Sequence, residues 1–276
     1  MATVLILAAL LSAMAEQSRE LAIERNLAVP TLAAVDSLLA LEQPSPTARR
    51  IGLWARRFHA DGSFTYRFGL SEGGYVSEGR LVPGKHQDCV SFLYRTTELA
   101  RATDARDAVL IALDTRFAGA DLDSVILPDG RVDYDRPEHL DFSLDMIRSG
   151  HWGRDVTASL TGATVDETGS ARYPAGSFSR VPAGALVTDE FREGDLAWLV
   201  LSPHEERAAR LRTEYGLVIG HVGVIVVDDG VPMLIHTASK PLPGWYDQGG
   251  VVKVPLAEYL RRVERYDGVM ITRFDQ

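Results

Sequence analysis

The chain predicts an α+β fold built on an antiparallel sheet, and three observations carry that reading. Helical periodicities fill its first part, short β-prone runs fill its final third, and no alternating strand–helix–strand unit joins them. At 276 residues, 46% apolar and 24% charged, it has material for one large domain or two small ones with an ample core.

The first element is an apolar run, Val4-Leu5-Ile6-Leu7-Ala8-Ala9-Leu10-Leu11, closing on Ala13-Met14-Ala15. It reads as a secretory signal ending near residue 15, or as a first helix continuing through Leu21 and Ile23. It falls short of the ~20 apolar residues that a membrane span needs, so no integral span is expected. Residues 30–41 have helical content behind Pro30. Ser45-Pro46 then opens another helix as cap and first residue, with Ile51, Trp54, Ala55 and Phe58 on one face. Residues 64–83, rich in Gly, Ser, Tyr and Glu, read as a long structured loop, and a helix follows from about residue 90 to 103. Breakers at Pro128-Asp129-Gly130, Arg136-Pro137 and Ala175-Gly176 make 114–187 an irregular elaboration. Strands are expected at 196–201, 222–227, 232–235, 251–254 and 269–274.

A net charge of −9 leaves no basic excess to neutralise a phosphate backbone, which argues against nucleic acid as a partner. A single cysteine rules out an intramolecular disulfide and a cysteine-rich zinc site. Cys89 is therefore a buried filler, a reactive thiol or an intermolecular link.

Its position favours reactivity. In Gln87-Asp88-Cys89-Val90-Ser91 the cysteine directly follows a good N-cap residue, so it should occupy the first turn of a helix. The unpaired amides and positive dipole end there favour thiolate over thiol, and the same amides can receive an oxyanion. The partners come from the other end of the chain. Asp229-Gly230 between β-prone runs is a hairpin signal; as a two-residue turn it pairs Asp228 with Val231 and places His236 opposite Gly223. His221 and His236 then share one face as diagonal neighbours, roughly 7–8 Å apart at Cα. A nucleophile, a base and a group that orients the base can be Cys89, His221 and His236, with no metal or other cofactor. A zinc site on the same histidines needs further ligands, and His139, His204, Asp195 and Asp228 fall at no recognisable ligand spacing.

Asp88-Cys89 opening a helix, Gly194-Asp195-Leu196 entering a strand, His221-Val222-Gly223-Val224 and Ile235-His236-Thr237-Ala238 together resemble the NlpC-type papain-like cell-wall peptidases. Within them the chain resembles the uncharacterised N-acetylmuramoyl-L-alanine amidase-like branch, through the loop before Cys89, the 136–156 stretch with His139 and the C-terminal Tyr259-Leu260 and Gly268-Val269-Met270. The resemblance covers about residues 54–274. It implies a papain-like core, with the catalytic helix packed on a small antiparallel sheet behind N-terminal helices, and residues 16–276 as one domain. It also implies that Tyr66 stands beside the nucleophile as a substrate-binding residue. The activity it implies is hydrolysis of an amide in peptidoglycan or a muropeptide, outside the cytoplasm if the N-terminus is a signal. A thioester acyltransferase and a non-catalytic peptide- or glycan-binding module are the competing expectations for the same fold.

Overall fold

The computed structural model describes residues 2–28, 35–82, 84–140, 144–168 and 176–275. Among the described side chains of helix α1 (Ala2–Leu27), Ala22, Ile23 and Asn26 are buried, whereas Ile6, Leu7, Leu10, Leu11 and Met14 stand exposed. Helix α2 (Val35–Glu42) follows; its expected start at Pro30 lies outside the described residues. Helix α3 (Thr47–Asp61) buries Ile51, Trp54, Ala55 and Phe58 as their spacing predicts. The expected cap is displaced, because Pro46 keeps an extended ψ of 149° and takes the cap position itself, and no side chain caps the helix.

Strand β1 (Thr65–Tyr66) pairs in parallel with β2 (His86–Gln87), and the loop between them folds back on itself, with Val76 and Ser77 N–H both donating to Gly69 O. β2 leads into helix α4 (Cys89–Arg101), whose residues from Cys89 to Ala100 are all buried. Helix α5 (Ala105–Arg116) lies against it and was not foreseen. The two are tied by a buried ion pair in which Arg116 reaches both oxygens of Glu98 at 2.7–2.9 Å. The same guanidinium donates to Leu81 O at 2.8 Å and lies 4.2 Å over the Tyr94 ring, fastening the loop to the helices.

Helices α6 (Leu122–Val125) and α7 (Leu144–Ser149) lead to β3 (Arg154–Asp155), β4 (Thr164–Thr168) and β5 (Gly176–Pro182). The chain then runs through β6 (Leu196–Leu201), α8 (Glu206–Tyr215), β7 (Ile219–Asp228), β8 (Val231–Ala238), β9 (Gly250–Pro255), α9 (Leu256–Arg262) and β10 (Tyr266–Arg273). All five expected strands are present. Two expectations are corrected. The middle region is not merely irregular, since β4 and β5 form a hairpin on one edge of the sheet and β3 pairs with β10. The sheet is consequently eight-stranded rather than small, seven strands running in the order β4-β5-β10-β6-β7-β8-β9 and β3 joining off that path beside β10, antiparallel throughout.

Both faces of this sheet are covered. Leu196, Trp198 and Val200 of β6 pack in one core with Phe58 of α3 and Phe92 and Leu93 of α4; Ala197, Leu199 and Leu201 pack in another with Leu256 and Leu260 of α9. Alternation at period two thus explains why β6 is apolar at every position. The β7–β8 turn has the predicted two residues, Asp229 and Gly230, at φ 49° and 81°, the left-handed values that such a tight hairpin needs. Its register is the predicted one, Asp228 opposite Val231 through to Val224 opposite Ile235.

Candidate active site

Asp88 builds the start of α4. Its Oδ1 accepts from Ser91 N–H at 2.8 Å while Ser91 Oγ accepts from Asp88 N–H at 2.9 Å, a reciprocal cap that fixes the first turn and with it Cys89. The second carboxylate oxygen accepts from Gly69 N–H at 2.8 Å, so the 64–83 loop is moored to the residue before the cysteine. Burial raises the Asp88 carboxyl, against the opposing bonds from Ser91 and Gly69.

His221 enters from β7, opposite Leu199 of β6. His236 enters from β8, opposite Val252 of β9. As the register predicts, they meet: His221 Nε2 and His236 Nδ1 lie 2.7 Å apart, with the rings nearly perpendicular. Gly223 makes the meeting possible, because a Cβ there would stand 2.9 Å from His236 Cβ and 2.6 Å from Ile235 O. Three tyrosines enclose the pair. Tyr259 of α9 packs edge-on to His236 at 4.8 Å and, with Tyr266 of β10, stacks beside His221 at 6.0–6.3 Å; Tyr246 meets His236 at 6.1 Å.

The Cys89 sulfur lies against the same strand, where Val222 N–H, next in the chain after His221, favours its thiolate form together with the N–H groups of Cys89 and Val90. Burial nevertheless dominates and pushes the thiol up. Burial likewise pushes His221 well below the usual imidazole range, with His236 and Arg265 adding to it, and lowers His236 to about 4. The expectation of a stabilised thiolate is therefore reversed: desolvation outweighs three amides, and thiol and both imidazoles are neutral at pH 7. Tyr66 ends β1, its hydroxyl raised to about 12 by burial and then by its nearness to Cys89 and Asp88, so it remains a hydrogen-bond donor.

Two polar groups sit oddly in this enclosure. His236 Nε2 is buried without a hydrogen-bond partner among the described residues, and so are both side-chain polar atoms of Gln87. If His221 Nε2 donates to His236 Nδ1, the second proton of the pair rests on that unpartnered Nε2 and His221 Nδ1 is left to accept from elsewhere.

The other polar residues weighed from the sequence are employed away from this centre. His139 packs on Phe117 and Tyr134, Asp195 is held by Arg273 at 2.6–2.7 Å, and Asp228 by Arg56 and Lys253. Among the described residues no group of three or more His, Cys, Asp or Glu side chains could hold a metal ion. Sequence reasoning missed the tyrosine enclosure. Tyr266 is brought to His221 by the β10–β6–β7 pairing and Tyr259 by the packing of α9 on β8 and β9, and no local pattern announces contacts between distant segments.

No family model matches the chain, and no curated protein matches it. Its fold matches solved structures. An N-acetylmuramoyl-L-alanine amidase from Bacteroides uniformis superposes with a TM-score of 0.59 at 16% identity, over 83% of this chain and 99% of that one. A Legionella pneumophila protein of the DUF1460 family gives 0.64 at 15% identity, over 87% and 93%. A Bacteroides fragilis protein provisionally named a xylanase gives 0.56 at 17%, over 80% and 99%. The fold is thus a mixed helix-and-sheet one shared across nearly the whole length of these proteins, at identities that speak for the fold alone.

Proposed function

We propose that the chain is a cysteine amidohydrolase of papain-like, NlpC-type build that cleaves an amide of bacterial peptidoglycan or of a muropeptide. The observation that carries this reading is the His221–His236 contact at 2.7 Å on the strand whose Val222 N–H faces the Cys89 sulfur. This supports reading Cys89 as nucleophile, His221 as base and His236 as the group fixing the base's tautomer, drawn from α4, β7 and β8.

Cys89 Sγ attacks the amide carbonyl as its proton passes to His221 Nδ1. His221 Nε2–H donates to His236 Nδ1, which steadies the imidazolium. Because burial favours the neutral forms of both partners, the proton moves as the carbon–sulfur bond forms instead of beforehand. The oxyanion takes hydrogen bonds from the α4 amides and from the Tyr66 hydroxyl. The carbon–nitrogen bond breaks as His221 returns the proton to the leaving amine, and water then hydrolyses the thioester.

The names of the amidase structures support the substrate class, and the exposure of Ile6, Leu7, Leu10, Leu11 and Met14 supports export with cleavage after Ala15. The test is incubation with purified muropeptides and mass spectrometry of the products. Cleavage by the native chain and none by Cys89→Ala is expected; equal cleavage by both refutes the proposal.

A further inference from the structure

The loop from β8 to β9, residues 239–249, leaves β8 two residues after His236 and carries one feature that the reaction does not use. Three of the four tryptophans, Trp54, Trp152 and Trp198, are buried, but Trp245 is 42% exposed. The loop presenting it is fixed. Leu242 and Tyr246 exchange backbone bonds at 3.0 and 3.1 Å, Trp245 N–H donates to Leu242 O at 3.0 Å, and Arg262 of α9 donates to Pro243 O at 2.8 Å.

Glu258 of α9, gripped by Arg261 at 2.7–3.0 Å, has the Trp245 indole as a neighbour that lowers its carboxyl, so the exposed ring lies beside α9. Two chain neighbours place it at the rim of the site: Tyr246 follows it and meets the His236 ring, and Tyr259 follows Glu258 and packs on His236 at 4.8 Å. Lys240, Asp247 and Gln248 are exposed in the same loop.

An exposed aromatic ring on a hydrogen-bonded loop that also carries exposed charged and amide side chains suits a pyranose. The C–H face of the sugar lies on the negative face of the ring, and its equatorial hydroxyls reach the polar rim. An apolar peptide side chain would want an enclosing pocket, which an open ring among charges does not offer. We propose that Trp245 is the stacking platform of a saccharide subsite, holding a sugar ring of the substrate beside the catalytic pair; this deepens the amidohydrolase reading and rests on it. Because the loop is set beforehand, little ordering cost falls on the ligand.

Iodide quenching of tryptophan fluorescence tests it without turnover, since the three buried tryptophans are shielded and the iodide-accessible emission reports Trp245. In the full chain carrying Cys89→Ala, N-acetylmuramic acid and a sugar-bearing muropeptide should protect that emission, and the same peptide without sugar should not. In the otherwise native chain, Trp245→Ala should raise KM for sugar-bearing amides roughly five- to ten-fold with kcat nearly unchanged, leave sugar-free peptides unaffected, and be rescued by Trp245→Phe. Protection by the bare peptide alone, no protection at all, or equal effects on both substrate types overturns the platform while leaving the Cys89 chemistry standing. Protection by sugars in a chain that cleaves no amide supports the platform and refutes the amidohydrolase.

Discussion

The paired histidines make stability depend on pH in a way that one substitution should expose. His236 is fully buried and titrates at about 4 in the fold against 6.5 as a free side chain, chiefly because burial disfavours its charge. The unfolded chain therefore takes up this proton first as the pH falls. The contribution is intact above about pH 6.5 and is lost progressively down to about pH 4, below which both states are protonated. At about 1.4 kcal/mol per tenfold difference in proton affinity, the loss at pH 4.5 is on the order of 2.5 kcal/mol from His236 alone. His221 is depressed in the same direction and adds to it. His236→Gln keeps a polar partner for His221 and removes the titrating group. Urea denaturation of both proteins at pH 7 and pH 4.5 gives two drops in unfolding free energy. Whatever the variant loses at pH 7, its drop on acidification should be smaller than that of the native chain by about 2–3 kcal/mol. Equal drops would show that the His236 ring is not held neutral by burial, and the enclosed geometry of the pair would be wrong with it.

Alkylation of Cys89 by iodoacetamide should be slow at neutral pH and accelerate only at alkaline pH, above the range of an ordinary thiol, because burial raises it; a rate already at its plateau below pH 7 refutes this. Gly223→Ala sets a methyl 2.6 Å from Ile235 O and 2.9 Å from His236 Cβ, so thermal melts should show a loss of about 1–3 kcal/mol and amide cleavage should fall with it. Glu98→Ala strands the fully buried Arg116 and should cost about 3–5 kcal/mol by urea denaturation.

Much of this site could be read in the sequence because its decisive features are local. Asp88 before Cys89 is a cap whatever the rest of the chain does, and Asp229-Gly230 fixes a register that brings His221 and His236 to one face. What could not be read depends on distant partners. The β4–β5 hairpin adds to the sheet through Val181 and Val269, which no pattern within 114–187 reveals. Helices α5, α8 and α9 went unforeseen, and α9 matters most, since Tyr259 reaches the histidines from it. The acidity of Cys89 failed for the same reason. A helix terminus is visible in the sequence, whereas the burial that overrides it is assembled by other segments.

That α4 and the sheet come from opposite ends of the chain has a consequence for the order of biosynthesis. The apolar face of α4 is covered by β7 and β8, and the full sheet closes only with β10, after residue 266. At about 5–20 residues per second, a helix finished at residue 101 waits roughly ten to thirty seconds for its last partner to emerge from the ribosome. Through the first part of that interval, until residues 221 and 236 have been made, the chain holds Cys89 without either histidine of the pair. The meeting of Cys89 with His221 and His236 is thus a late event in synthesis, because it needs strands made more than a hundred residues after α4 begins.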